Sequence, residues 1–166
     1  MVVPGEYGNK SVKWLQKIVL TNEHRNNDTY AEWNNDTASP LKTFAHFIHT
    51  PKKARAGQPI PITGLAQVGM SGLRKVQYWL HPKDAPLAEN DPYFAQGDWQ
   101  DAEILPPPTD WGGGLPDGKL PPIPSQFDPA SGKPRTWPLR NTLAHWAALL
   151  PAVPAGEHDL RCRSID

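Results

Sequence analysis

Gly72-Leu-Arg-Lys-Val-Gln-Tyr-Trp-Leu80 is the stretch that decides the fold class of this 166-residue chain. Its second half alternates, so that Val76, Tyr78 and Leu80 share one face of a strand while Trp79 lies on the other. β-Branched and aromatic residues suit a pleated surface with one buried face. The stretch therefore predicts a strand over Arg74–His81.

Outward from this stretch, further runs carry strand signals. They are Thr43–His49, Ile60–Ala66 and Trp99–Ile104, together with Val12–Leu20, which follows turn signals at Pro4-Gly5 and Gly8-Asn9. Glycine permits positive φ and proline fixes φ, which is why such pairs mark turns. The sequence is therefore predicted to be all-β.

The run from Leu139 to Leu150 admits two interpretations. Its apolar residues at 139, 143, 146, 147 and 150 follow a helical period in an Ala- and Leu-rich context. Pro154-Ala-Gly156 follows it and favours a hairpin turn between two strands. From the residues alone, helix and strand are balanced here.

The segment 82–138 is unusual in composition, since it holds thirteen of the twenty prolines. Proline removes a backbone donor and breaks both ladders and helix interiors. We therefore predict a long surface excursion, ordered only where Trp99, Trp111, Phe127 or Trp137 docks. The polar stretch Thr21–Ser39 is predicted to be a linker.

Composition excludes several classes of partner. The chain has 17 acidic and 17 basic residues and a net charge of zero, so there is no electrostatic case for nucleic acid binding. No apolar run approaches the ~20 residues that a membrane span requires. The single cysteine, Cys162, excludes an internal disulfide. We expect neither a nucleic acid nor a membrane partner.

No residue pattern nominates a catalytic or metal site. His46 and His49 are three apart on a predicted strand, so they point to opposite faces and do not share a metal ion. Cys162 alternates with Leu160 and Ser164, which predicts a small buried thiol. The tryptophans leave two alternatives open: a sugar- or partner-binding face, or core packing together with anchoring of the proline-rich loop. They are Trp79, Trp99, Trp111, Trp137 and Trp146.

The first eighteen residues carry the most specific motif of the chain. Val2-Val-Pro-Gly-Glu-Tyr-Gly-Asn-Lys-Ser-Val-Lys-Trp-Leu-Gln-Lys-Ile18 places Gly8 and two lysines where backbone amides and a cation could meet an anionic group. The string closely resembles the segment that ends the molybdopterin domain of sulfite-oxidase-type enzymes. In that family the segment leads directly into a C-terminal dimerisation domain.

Later landmarks of the family appear in the same order. Ile62-Thr-Gly-Leu-Ala66 resembles an I-x-G-hydrophobic-Ala strand, and Gly72–Leu80 is similar to the central strand. The ending from Trp146 through Pro154-Ala-Gly156 to Asp166 resembles the family's W…P-x-G-x-x-x-L-x-x-R-x-x-D pattern. The resemblance covers almost the whole chain apart from the region around 82–138.

The resemblance implies an immunoglobulin-like β-sandwich of the E-set type, with an N-terminal extension and a long Pro/Gly-rich loop. Residues 1–22 would end a molybdopterin-binding domain and 23–40 would be a linker. Residues 41–166 would form the dimerisation domain, with an insertion at about 82–138 and without the family's last strand. It also implies that Trp146–Leu150 is a strand paired with Leu160–Ser164. From the helical period of residues 139–150, we predict a helical turn at 139–144 before this strand.

The same resemblance suggests a cofactor contact and partners. The phosphate end of molybdopterin would be held by positions matching Ser11, Val12 and Lys13. The molybdenum-ligating cysteine of the family lies upstream of the motif, and Cys162 is in the wrong place. The chain is thus expected to be a non-catalytic piece of a molybdenum–molybdopterin oxidoreductase, with no cofactor bound to it alone.

The expected partners are a second copy of the chain and the rest of the molybdopterin domain. The absent last strand would leave an exposed edge at Leu160–Ile165, and the Trp79 face is the second candidate contact. The alternative hypothesis is a stand-alone immunoglobulin-like module that binds carbohydrate or protein through exposed tryptophans.

Overall fold

The structure, a computed structural model, describes residues 1–22, 40–110 and 126–166. A short 3₁₀ turn at Gly8–Lys10 precedes the strands. The strands are β1 (Phe44–His49), β2 (Ile60–Gln67), β3 (Lys75–Pro82), β4 (Gln100–Ile104), β5 (Leu143–Leu150) and β6 (His158–Ile165). The strands predicted from the sequence between Thr43 and Ile104 are confirmed to within one residue at each end.

All six strands belong to one antiparallel sheet with the order β1-β2-β5-β4-β3-β6. The sheet curls until its two end strands, β1 and β6, come close together, which makes it a nearly closed barrel. β4 is the narrowest part of the sheet, since it pairs with β3 over Gln100–Ala102 and with β5 only at Glu103 and Ile104.

The core is built from alternate residues of β2, β3 and β5. Ile62 and Ala66 of β2, Val76 of β3 and Trp146 of β5 are buried. Gly64 lies between Ile62 and Ala66 and opposite Trp146 in the ladder. A Cβ on Gly64 would lie 2.2 Å from the Trp146 ring and 2.3 Å from the His46 carbonyl oxygen. Only glycine at position 64 leaves room for the Trp146 indole. This contact packs the Ile62–Ala66 stretch of β2 against Trp146 of β5.

The predicted alternation of β3 is confirmed. Val76 and Tyr78 are buried in the core and Leu80 packs against it, whereas Trp79 lies on the outer side of the sheet. The outer side is not open to solvent here, because the segment 94–99 folds back over Trp79.

Three predictions about the ends of the chain are wrong. Val12–Leu20 forms no strand, because among residues 1–22, 40–110 and 126–166 no strand lies beside it to supply the hydrogen bonds that an extended segment needs. Trp146–Leu150 is a strand, yet it pairs with β2 and β4 rather than with Leu160–Ser164, which pairs with β3. Residues 139–142 form a turn instead of a helical turn, and there the Thr142 hydroxyl donates to the Leu139 carbonyl oxygen.

The proline-rich segment is anchored at Trp99 and Trp137 among the predicted aromatic residues. Trp99 contacts Trp79, with ring centroids 5.8 Å apart. The Trp137 indole N–H donates to the Leu105 carbonyl oxygen over 2.9 Å. Phe127 forms an isolated bridge with Pro134, which lies in the same segment, so this bridge does not anchor the segment to the sheet. Trp111 and the predicted linker residues 23–39 lie outside the described residues.

Candidate functional site

The predicted cofactor-binding residues Ser11, Val12 and Lys13 follow the 3₁₀ turn. The Ser11 N–H donates to the Gly8 carbonyl oxygen over 3.0 Å, and the Val12 N–H donates to the Met1 carbonyl oxygen over 3.0 Å. The Ser11 hydroxyl oxygen accepts from the Val3 N–H over 3.3 Å. Lys13 is exposed.

This arrangement does not form a phosphate cradle. A cradle needs several main-chain N–H groups aimed at one point, and two of the three available here are used inside the chain. The Lys13 ammonium is the one strong donor left facing solvent among these three residues. The contact with molybdopterin stays a prediction about a longer parent protein, and no chemical step is derived from it.

The N-terminal apolar segment, defined here as residues 12–20, is the most exposed apolar stretch of the described chain. Trp14 is 86% exposed and Leu20 is 96% exposed. Val12, Leu15, Ile18 and Val19 are exposed as well. Isolated exposed apolar residues need no explanation, but a run of several such residues in one segment is a candidate interaction surface.

A second apolar surface lies on the outside of β1, β2 and β5, and we call it the bare face. Phe44 and Ile48 of β1 and Leu143 and Leu149 of β5 are exposed on it, with Leu149 64% exposed. The inward residues of β1, Ala45 and Phe47, pack against the core. Phe44 and Leu143 are each paired with Gln67, so they flank it on the same sheet row.

The outside of β3 and β6 is different, and we call it the covered face. Trp79 is 8% exposed, and it lies 4.7 Å from His81 and 5.8 Å from Phe94, measured between ring centroids. The Trp99 indole N–H donates to the Phe94 carbonyl oxygen over 2.7 Å. Trp79 was expected to be an exposed contact for a second copy, and this expectation is wrong because residues 94–99 bury it.

Two arginines of β6 hold this covering segment in place. The Arg161 guanidinium lies 3.9 Å from the Phe94 ring centroid, and that of Arg163 lies 4.2 Å from the Trp99 ring. Such cation–π contacts are worth about 0.5–2 kcal/mol each. Arg161 also pairs with Asp159 over 3.0 Å, and Arg163 donates to Gln77 over 2.9 Å.

A polar cluster borders the covered face. Lys75 and Gln77 both donate to the carboxylate of Asp101. These hydrogen bonds, with that from Lys75 the stronger influence, lower the pKa of Asp101. The cluster is exposed and joins β3 to β4 at the narrowest part of the sheet.

The tryptophans proposed as a binding face are mostly enclosed. Trp146 is fully buried, Trp79 is covered, and Trp99 and Trp137 are half-buried with their N–H groups bonded to carbonyl oxygens. Within the described residues, Trp14 alone presents an open indole face. The core-and-anchor interpretation of the tryptophans is therefore confirmed for these four.

The remaining candidate groups do not assemble into a reactive site. His46 and His49 are exposed, and among residues 1–22, 40–110 and 126–166 no three His, Cys, Asp or Glu side chains gather to hold a metal ion. Cys162 is half-buried beside the core, and its burial raises the pKa of the thiol from 9.0 to about 11. In the described ranges no helix has the length and apolar character to cross a membrane.

Sequence reasoning did not identify the bare face. The available signal was the alternation of Phe44, His46 and Ile48 with Ala45 and Phe47, which puts apolar residues on both sides of β1. Comparison of the chain with protein-family models, with curated proteins and with solved structures finds no match.

Proposed function

We propose that this chain is a non-catalytic assembly domain of a sulfite-oxidase-like molybdenum oxidoreductase. Its immunoglobulin-like β-domain joins two copies of the chain, and its first residues complete the molybdopterin domain of the parent. The observation that carries the proposal is the bare face, where apolar side chains of two strands are exposed on a domain whose opposite face is covered.

The strand order supports the immunoglobulin-like part of the proposal. β1, β2 and β5 form one half of the sheet and β3 and β6 form the other, and the short β4 connects the halves. Side chains from both halves fill the space between them, as the inner faces of a sandwich do. Within the described chain no ladder joins β6 to β1, which leaves an edge of each strand for a further strand.

The bare face supports self-association. A two-fold pairing places the same patch of each copy against itself, so one row of exposed apolar residues serves both partners. Phe44 and Leu143 flank Gln67 in one row on the outside of the sheet, and Leu149 lies toward the far end of β5. Burial of apolar area is favourable by about 25 cal/mol per Å² before the entropic cost of association is subtracted.

The N-terminal apolar segment supports the second contact, with the remainder of a larger domain. It carries the specific motif of the resemblance, and its apolar residues are exposed when the segment is separated from such a domain. Trp14 and Leu20 are its largest open surfaces, and both would be buried by a neighbouring domain.

Sedimentation velocity on the purified chain at micromolar concentration tests the association. We expect a dimer, and we expect Leu149→Asp to convert it to a monomer that keeps the folded circular-dichroism spectrum, because Leu149 is exposed and contributes little to the core. The matched control is Leu87→Asp, which places the same charge at an exposed leucine in the segment after β3.

If Leu149→Asp still forms a dimer, or if the unmodified chain is a monomer, the bare face is not the interface. Trp14→Asp distinguishes the bare face from the N-terminal apolar segment as the interface. We expect the dimer to stay intact in this variant if the bare face forms it. Loss of the dimer in this variant instead assigns the association to the N-terminal apolar segment.

A further inference from the structure

A cavity of about 780 Å³ opens at one end of the barrel, and we call it the mouth cavity. It lies between the β1–β2 connection at 50–56, the β5–β6 connection at 151–157 and the end of β3. The Gly57 N–H donates to the Val153 carbonyl oxygen, and the Lys83 N–H donates to the Glu157 carbonyl oxygen, each over 2.9 Å. These two hydrogen bonds hold the β1–β2 connection, the β5–β6 connection and the end of β3 around the opening.

The floor of the mouth cavity is apolar. Ile62 and Leu150 belong to the buried core and form its deepest part, and Leu80 and Leu160 line its walls. Small-molecule sites are typically concave, mostly apolar and about 300–1,000 Å³ in volume, and barrel mouths are among their common positions. The cavity has the size and lining of such a site.

The rim of the mouth cavity carries unbalanced positive charge. Its two lining carboxylates are already paired: Glu157 accepts from Lys83 over 2.8 Å, and Asp159 accepts from Arg161 over 3.0 Å. The first bond raises the pKa of Lys83 and lowers that of Glu157, so both stay charged and neutralise each other near neutral pH.

Lys52, Lys53 and Arg55 remain, exposed on the same rim and without an ion-pair partner in the described part of the chain. Three clustered cations on a chain of zero net charge form a local positive field at the opening. Their long side chains are free to turn toward a group held at the rim.

We propose that the mouth cavity binds a small organic anion with an apolar body, of the class of medium-chain alkyl carboxylates. The apolar body lies against Leu80 and Leu160, which are half-buried, and displaces water from their exposed surface. The anionic head lies at the rim between Lys52, Lys53 and Arg55, which supply charge-assisted hydrogen bonds. This site is separate from the bare face and does not depend on the assembly role.

Calorimetric titration of the full chain with decanoate, and in parallel with decanol, tests the apolar floor and the positively charged rim of the site. We expect saturable binding of decanoate with one site per chain and about tenfold weaker binding of decanol, which has the same body without the charge. Equal binding of the two compounds, or no decanoate binding at millimolar concentration, overturns the proposal.

Two variants place the binding in the cavity. Ala155→Trp fills the opening from an exposed lining position and is expected to abolish decanoate binding. The combined Lys52→Glu, Lys53→Glu and Arg55→Glu variant is expected to weaken it by about tenfold or more. Unchanged affinity in either variant, with the fold intact by circular dichroism, assigns the decanoate to another apolar surface and refutes the site.

The matched control reverses three exposed cations elsewhere on the chain. Arg74, Lys133 and Arg140 lie outside the mouth cavity, and Arg74 and Arg140 precede β3 and β5 at the opposite end of the barrel. Changing all three to Glu alters the net charge by the same amount, and we expect decanoate affinity to stay within about twofold. An equal loss in this control shows a general charge effect and also refutes the site.

Discussion

The covered face and the bare face belong to the same curled sheet, yet the first is buried by another segment of the chain and the second is exposed. On the covered face, Trp79 is enclosed by Phe94 and Trp99 and by the guanidinium of Arg161. On the bare face, Leu143 and Leu149 are exposed, and no described segment crosses them. The chain thus covers one apolar face with its own loop, whereas we propose that the other is covered by a second copy of the chain.

The difference shows how a segment unsuited to regular structure can still stabilise a fold. Residues 83–99 contain two prolines and form no ladder, but they deliver Phe94 and Trp99 to Trp79. The carboxylate of Asp91 accepts from the N–H groups of Ala95 and Gln96 over 2.8 Å and holds the bend that makes this possible. Aromatic contacts replace the backbone hydrogen bonds that proline removes.

The largest expected effect is on the covered face. Trp79→Ala removes an almost fully buried indole and its three ring contacts, and we expect it to lower the free energy of unfolding by about 3–5 kcal/mol. Trp14→Ala is the matched control, because that indole is 86% exposed, and we expect a change within about 0.5 kcal/mol. Urea unfolding followed by circular dichroism measures both. Similar small losses in the two variants would mean that the covering segment opens freely.

The packing that both halves of the sheet share is tested by Gly64→Ala. The added methyl overlaps the Trp146 ring and the His46 carbonyl, and we expect a loss of about 3 kcal/mol, at the upper end for overpacking. Gly8→Ala is the control, since nothing lies within 4 Å of its added Cβ. Thermal unfolding compares the two, and an unchanged melting temperature for Gly64→Ala would show that Trp146 moves to make room.

The smallest effect concerns Cys162, which lies between the two halves. Its thiol has a pKa raised from 9.0 to about 11 by burial, so the folded state favours the neutral form. The stability that this contributes is complete below pH 9 and is lost as the pH rises toward 11, and Cys162→Ala is expected to flatten this decline. Urea titrations of both proteins between pH 7 and about 10.5 measure it.

Alkylation gives an independent measurement of the same thiol. Cys162 is the only cysteine, so iodoacetamide reports on it alone. At pH 8 we expect the folded chain to react at least about tenfold more slowly than the urea-unfolded chain, because the thiolate is the reactive form. Equal rates would show that β6 is open along its unpaired edge.

The local sequence predicted β2 and β3 correctly from the residues of those strands alone. Alternation in Val76–Leu80 identified β3 and its core face, and Ile62-Thr-Gly-Leu-Ala66 identified β2. Alternation succeeds in these strands because burial of one face depends on residue spacing alone. The same reasoning failed for Val12–Leu20, whose apolar alternation has no described strand beside it.

The candidate sites depended on contacts between distant residues, and prediction was correspondingly weaker. The position of Trp79 on the outer side of β3 followed from its spacing, but its burial depended on Phe94 and Trp99, which arrive from a loop. The mouth cavity brings together Lys52 and Glu157 from two separate connections and Leu80 from β3. No pattern of neighbouring residues predicts that these three residues lie close together.

The sequence by itself determined the all-β class and the central strands, because propensity and period are properties of neighbouring residues. Tertiary structure alone decided that β5 pairs with β2 and β4 instead of β6, that one face is covered and that a cavity opens at the barrel mouth. Strand pairing and burial depend on which distant surfaces meet, and their free energy is gained only when the whole sheet closes around Trp146.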